Sequence, residues 1–303
     1  MSGVNRARGS AGVRRRVQRA GVVVKPRHRR SVEVASKLVR WLKKRNVEPV
    51  LDHQTAALLG GRDGAERAEI ARETDLIVVV GGDGTLLSVA RSLGAARTPI
   101  LGVNLGSLGF LTEIPLDEMF TALDGFLSGS FEIDVRLRLR VAILRNGREL
   151  ARHDILNDVV LNKSALARIL NIDVHVNNTY VTTYRADGLI LSTPTGSTAY
   201  SLSAGGPITE PTVNAIILSP ICPHTLSNRP LVLPQRSDVE MRIRNSTEDV
   251  FVTIDGQVGF PLEGKDSVRV RRAPNPVRLI QSPGRSYYEV LRQRLKWQGR
   301  LLR

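Results

Sequence analysis

Five residues, Gly81-Gly82-Asp83-Gly84-Thr85, directly follow the apolar run Leu76-Ile77-Val78-Val79-Val80, so a strand runs into a glycine-rich turn that carries one acid. Glycines lack Cβ, which lets main-chain N–H groups close around phosphate oxygens. A helix beginning after the turn, at Thr85-Leu86-Leu87-Ser88-Val89-Ala90, would add its positive N-terminal end. Gly81, Gly82, Gly84 and Thr85 therefore read as a phosphate cradle. An acid there would repel phosphate, so Asp83 suggests a separate task, the acceptance of a proton. The loop has neither the spacing of the dinucleotide fingerprint nor the lysine of the Walker loop.

A second segment, Asp187 to Pro207, also runs from apolar residues into a turn: Ser192-Thr193-Pro194-Thr195-Gly196-Ser197-Thr198-Ala199-Tyr200-Ser201-Leu202-Ser203-Ala204-Gly205-Gly206. Small residues let a ligand approach the backbone, hydroxyls supply donors and acceptors, and Tyr200 offers a flat face. Alone, either segment is compatible with a structural loop.

Together they resemble the NAD kinase family, which has a Gly-Gly-Asp-Gly-Thr loop and this Ser-Thr-Pro-Thr-Gly-Ser-Thr-Ala-Tyr stretch. The resemblance extends from about Val22 to Trp297 through Gly102 to Leu111, Asn157-Asp158-Val159-Val160, Pro223-His224-Thr225-Leu226 and Asp255-Gly256-Gln257. It implies transfer of the γ-phosphoryl of ATP, or of polyphosphate, to the 2′-hydroxyl of the adenosine ribose of NAD, with a divalent ion such as Mg²⁺ arriving with ATP. Asp83 matches the family's general base, and Asp83 and Gly84 meet NAD. Asn157 and Asp158 hold ribose hydroxyls, and Asp187 with the Thr198-Ala199 backbone lies near the nicotinamide and adenine groups. Tyr200, Ser201, Leu202, Ser203 and Gln257 complete the pocket, with Arg168 and Arg185 as further contacts. Many members have Glu where this chain has Asp158, which shortens the reach by one methylene. The position of Arg185 carries arginine in members that prefer oxidised NAD. The resemblance also implies a homodimer or homotetramer.

Two other readings use parts of the same pattern. A lipid or sugar kinase shares the Gly-Gly-Asp-Gly loop but gives no reason for the Asp187 to Pro207 stretch. A dinucleotide-binding scaffold would not need Asp83.

Composition excludes other classes. The chain has 303 residues, of which 42% are hydrophobic, enough for two domains with their own cores. No run approaches a membrane span or a secretory signal, which predicts a cytoplasmic protein. Cys222 lies between Ile221 and Pro223 and reads as a buried structural thiol; the five histidines have no zinc spacing, so no protein-held metal is expected. The net charge is +15, but six arginines lie in the first twenty residues, and without them +9 remains. A positive surface suits anionic substrates, and no basic-aromatic interleaving points to nucleic acid.

The elements that must position these residues follow from the pattern. Residues 1–20 lack apolar periodicity and read as a disordered basic tail, with a composition that also fits a transit peptide. Gly21 to Lys25 reads as a strand. Ala35, Leu38, Val39 and Leu42 have helical spacing after Ser31 as cap, Ala65 to Arg72 reads as helix, and Ile100 to Val103 as strand. This alternation predicts an α/β domain with a parallel, Rossmann-like sheet over 21–133, binding ligands at the carboxyl ends of its strands. From Asp134 the period changes to two, with Arg136, Arg138 and Arg140 expected on the wet face of a sheet. Residues 134–275 thus form a β-rich, sandwich-like domain with hairpin turns at Asn146-Gly147 and Asn177-Asn178. Residues 276–303, helical from Tyr287, are expected to pack back on the α/β domain.

Overall fold

The computed structural model describes residues 17–163, 169–225, 227–244, 250–264, 266–282 and 284–297. The chain forms two compact units, Met1–Val135 with Val277–Arg303, and Arg136–Pro276. In the first, β1 (Arg19–Val24), β2 (Glu48–Leu51), β3 (Leu76–Gly81), β4 (Ile100–Asn104) and β5 (Ile114–Pro115) interleave with α1 (Ser31–Lys44), α2 (His53–Leu58), α3 (Arg67–Glu73), α4 (Asp83–Ser92) and α5 (Met119–Ser128), before β6 (Ile133–Arg136). The second unit carries β7 (Leu139–Arg145), β8 (Arg148–Ile155), β9 (Asp158–Lys163), β10 (Leu170–Val176), β11 (Thr179–Ala186), β12 (Gly188–Ser192), α6 (Tyr200–Ser203), β13 (Ala215–Ile221), β14 (Leu231–Pro234), β15 (Val239–Ile243), β16 (Val250–Ile254), β17 (Val258–Leu262) and β18 (Asp266–Arg272). The chain then returns to the first unit with β19 (Val277–Ile280) and α7 (Tyr287–Leu295).

The first sheet has the order β2-β1-β3-β4-β19-β6, with β5 beside β4, and β1 to β5 and β19 pair in parallel. Buried on both faces, β3 is apolar throughout, as parallel strands under helices require. Its carboxyl end is Gly81, and α4 starts at Asp83 with Gly82 as cap, two residues before the helix expected from the pattern.

Some boundaries differ from the sequence reading. Arg19 and Ala20, read as tail, begin β1: the Asp75 carboxylate accepts the Arg19 N–H, and the Arg19 side chain pairs with Glu48 and Glu73. These partners are distant in sequence, so local composition does not register them. Ser31 is not the cap of α1; Arg30 is, and the Ser31 hydroxyl donates to the Lys25 carbonyl at 2.5 Å. Ala65 precedes α3 and bridges to Asp52 instead.

The second unit is two antiparallel six-stranded sheets, β11-β10-β15-β18-β7-β8 and β14-β13-β12-β9-β16-β17. Val141, Ile172, Met241 and Val268 from one meet Val159, Leu161, Leu189 and Val252 from the other in a single core. The hairpin signals mark real turns, since Asn146-Gly147 and Asn177-Asn178 have positive φ at both residues, and Asp255-Gly256 between β16 and β17 does the same.

The wet-face reading fails for two of the three arginines. Arg136 and Arg138 are 3% and 1% exposed. Arg136 ends β6 and donates to Thr195 Oγ1 at 3.4 Å, and Arg138 lies between β6 and β7, where the chain leaves strand geometry and alternation no longer holds. Arg138 Nε donates to the Asn275 carbonyl at 2.8 Å, and its Nη2 lies 3.7 Å from Asp154. Burial lowers the Arg138 pKa, and Asp154 opposes that shift. Arg140 keeps the half-exposed position and forks onto Asp154. Cys222 is exposed rather than buried, because it follows the end of β13 in a turn with φ of 44°. Among the described residues no helix is long and apolar enough to cross a membrane.

Truncating Arg138 to Ala leaves the Asn275 carbonyl without its donor, and should lower the unfolding free energy by about 3–5 kcal/mol in urea melts. Arg138→Met, which fills much of the same volume while Arg140 still neutralises Asp154, should cost less.

Candidate functional site

The Gly81–Thr85 loop lies at the carboxyl end of β3, where the N-terminus of α4 begins. A Cβ on Gly81 would sit 2.6 Å from Thr85 Oγ1, so glycine is needed for strand and helix to pack, whereas the Cβ direction of Gly82 is open space. Asp83 is half-buried and held by the loop that follows β4. Its Oδ1 accepts from the N–H groups of Leu111 at 3.1 Å and Thr112 at 3.0 Å and from the Thr112 hydroxyl at 3.0 Å. Its Oδ2 accepts from the Phe110 N–H at 2.8 Å. Asn104 continues the web, donating to Thr112 Oγ1 and accepting the Gly106 N–H. A Cβ at Gly109 would fall 2.0 Å from Asp83 Oδ1, so the Gly102 to Leu111 motif is shaped to wrap this carboxylate.

In the second unit a cavity of about 290 Å³ is lined by Asn157, Asp158, Val160, Asn162, Ala199, Tyr200, Thr253, Asp255 and Gly256. β9 supplies Asp158, Val160 and Asn162 from alternate positions on one face, and the Asp255-Gly256 turn closes one end. Asp158 is 3% exposed. Burial, then the charge of Asp255, pushes its carboxyl up to about 7, against a hydrogen bond from the Tyr200 N–H. The Oδ1 of Asn162 is buried and finds no hydrogen-bond partner among the described residues.

Of the residues read from sequence, the structure gathers Asn157, Asp158, Ala199 and Tyr200 at this cavity. Thr198, Ser201, Leu202 and Ser203 flank it in chain but do not line it. Ser201 is buried and shares a hydrogen bond with Ser219 at 3.0 Å. Asp187 pairs with Lys163 at 3.2 Å. Arg185 and Gln257 are exposed and do not line the cavity, and Arg168 lies outside the described residues. Asp83, Gly84 and the rest of the phosphate loop belong to the first unit. Sequence reasoning did not single out Val160, Asn162, Thr253, Asp255 and Gly256 as site residues. Asp255-Gly256 is a strong hairpin signal that places an acid in a β-turn, but nothing local to it points to Asp158.

Comparison with known proteins adds to this geometry. Residues 20–131 match the family model for the ATP-NAD kinase N-terminal domain, and residues 156–282 match that for the ATP-NAD kinase C-terminal domain. The NAD kinase of Geobacter sulfurreducens is 53% identical over 264 residues, which cover 87% of this chain and 93% of that protein. The crystal structure of yeast NADH kinase complexed with NADH superposes with a TM-score of 0.86 at 27% identity, covering 95% of this chain and 91% of that one. An NAD kinase from Archaeoglobus fulgidus in complex with ATP gives 0.72 at 25%, covering 93% and 100%.

The raised carboxyl of Asp158 makes a stability prediction. Its folded pKa of about 7 exceeds the usual 3.8, so the folded state holds this proton longer. The cost is absent below about pH 4, grows as pH rises through that window, and is complete above about 7, on the order of 4 kcal/mol. Asp158→Asn should therefore raise the melting temperature of the ligand-free protein more at pH 8 than at pH 5. Equal effects at the two pH values would contradict the assignment.

Proposed function

Because this chain belongs to the ATP-NAD kinase family and is an ATP-dependent NAD kinase, which phosphorylates NAD to NADP, we propose that Asp83 is the general base for the ribose 2′-hydroxyl. The observation that carries this is the unequal loading of its two oxygens. Among the described residues Oδ1 accepts three hydrogen bonds and Oδ2 one, so Oδ2 keeps an acceptor site for the hydroxyl proton while the Oδ1 bonds hold the carboxylate still. A ribose hydroxyl is a weak nucleophile at neutral pH. Losing its proton as the new P–O bond forms prevents a positively charged oxygen from developing.

The glycine turn at the head of α4 suits the phosphates of the donor: Gly82 leaves room for close approach, and the helix N-terminus favours negative charge. A divalent ion enters with ATP as part of that substrate and offsets charge on the phosphate oxygens. Polyphosphate would suit the same cradle, since main-chain N–H groups recognise phosphate rather than adenine.

Asn157 and Asp158 take the ribose hydroxyls, and Ala199 with Tyr200 packs against the dinucleotide; all four line the cavity of the second unit. Asp187, Thr198, Ser201, Leu202, Ser203 and Gln257 complete or brace that site. A homodimer or homotetramer is the assembly that the family resemblance implies. A cytoplasmic location fits enzymes that draw on NAD and ATP.

Yeast NADH kinase, a structural neighbour, is named for the reduced dinucleotide, so side chains rather than the fold must set redox preference. Arg185 is assigned that discrimination here. Its guanidinium is exposed at the end of β11, two residues before Asp187, and a fixed charge distinguishes a charged nicotinamide ring from a neutral one.

Asp83→Asn should lower turnover about 10²- to 10⁴-fold. The amide nitrogen must also face the Phe110 N–H, which costs roughly 1–2 kcal/mol of stability. Wild-type turnover in the folded variant would refute the base assignment. Arg185→Gly should raise kcat/KM for NADH relative to NAD, and an unmoved ratio would remove Arg185 from the site.

A further inference from the structure

Asp255 lies at the turn between β16 and β17 and is 5% exposed. Where the β9–β16 ladder ends, at Val159 opposite Ile254, the segment 156–158 would be left with main-chain groups that no strand satisfies. The left-handed Asp255-Gly256 turn swings the Asp255 carboxylate back across this end. Its Oδ1 accepts the N–H groups of Asn157 at 2.8 Å and Asp158 at 3.2 Å, and its Oδ2 accepts that of Leu156 at 3.3 Å. On the carbonyl side, Leu156 accepts from the Thr193 hydroxyl, Asn157 from the Thr193 N–H, and Asp158 from the Asp255 N–H. Every N–H and C=O of the three residues is thus engaged within the protein, and only the side chains of Asn157 and Asp158 are left to meet a ligand.

We propose that Asp255 is a positioning residue for NAD, fixing the Asn157-Asp158 step so that both side chains face the ribose. This deepens the assignment of those two residues made above. A carboxylate suits the task because its two oxygens accept all three N–H groups, whereas an amide would set an NH₂ against one of them. Asp255 also places a negative charge next to Asp158. Around Asp158, β12 offers Ser192, β16 offers Ile254, the turn 193–199 offers hydroxyls, of which Thr195 Oγ1 accepts from the buried Arg136 guanidinium at 3.4 Å, and α6 offers Tyr200, whose N–H donates to the Asp158 carboxyl.

The test is steady-state kinetics of the full-length enzyme, with NAD varied between pH 5.5 and 9, on wild type, Asp255→Asn, Asp255→Glu and Asp158→Asn. Asp255→Asn should raise the KM for NAD about 10-fold, change kcat less than about threefold and leave the KM for ATP unmoved. Removing the anion should also shift the midpoint of the pH dependence of the NAD KM to lower pH. Asp255→Glu keeps the charge and displaces the oxygens, so it should raise that KM without moving the midpoint. It carries the test alone if the amide variant does not fold. An unchanged NAD KM in a folded Asp255 variant, or a loss of melting temperature with wild-type kinetics, overturns the positioning role. If instead Asp158→Asn leaves the NAD KM unchanged, the ribose assignment itself fails and the role of Asp255 falls with it.

Discussion

A carboxylate that gathers main-chain N–H groups from a neighbouring loop is the interaction on which both units depend. Asp83 collects Phe110, Leu111 and Thr112; Asp255 collects Leu156, Asn157 and Asp158. Loops at strand ends have no ladder to satisfy them, and each buried orphan donor costs about 1–3 kcal/mol. One aspartate with two oxygens removes three such costs and fixes three residues at once. Asp52 does similar work at the head of α2, accepting the Thr55 N–H and the Arg67 guanidinium. Irregular backbone can therefore sit rigidly beside a ligand without being part of a sheet.

This device explains which features were legible in sequence. Strands and helices announce themselves by period, so β3, β4, α1 and the alternating strands of the second unit follow from local pattern. Turns announce themselves by residue type, as at Asn146-Gly147. Partners far along the chain do not. Arg19 joins β1 through Asp75, Glu48 and Glu73. Arg138 is buried because Asn275 and Asp154 receive it, although its neighbours in sequence read as a wet face. Asp255 was visible as part of a motif, but its task depends on a segment nearly a hundred residues earlier.

The hydroxyl-rich stretch makes the same point about the site. Its composition invites the reading that every Ser and Thr meets a ligand, yet most are turned inward. Thr193 secures the carbonyl side of Leu156 and Asn157, Ser197 bridges Pro194 and Thr209, and Ser201 meets Ser219. A Cβ at Gly196 would lie 2.1 Å from the Asn157 carbonyl oxygen, so that glycine is required by the protein's own packing. The stretch is a brace for Asn157 and Asp158. Only its far end, at Ala199 and Tyr200, reaches the cavity.

Electrostatics connects the brace to its proposed use. Two acids at one cavity would repel a dinucleotide whose bridging phosphates are anionic, and burial sharpens that repulsion. The pair avoids it by dividing its roles. Asp255 turns its carboxylate oxygens to three N–H groups, and burial, with the charge of Asp255 added to it, lifts Asp158 to about 7. Near neutrality Asp158 therefore holds a proton for part of the time and can donate to a ribose oxygen as well as accept from a hydroxyl.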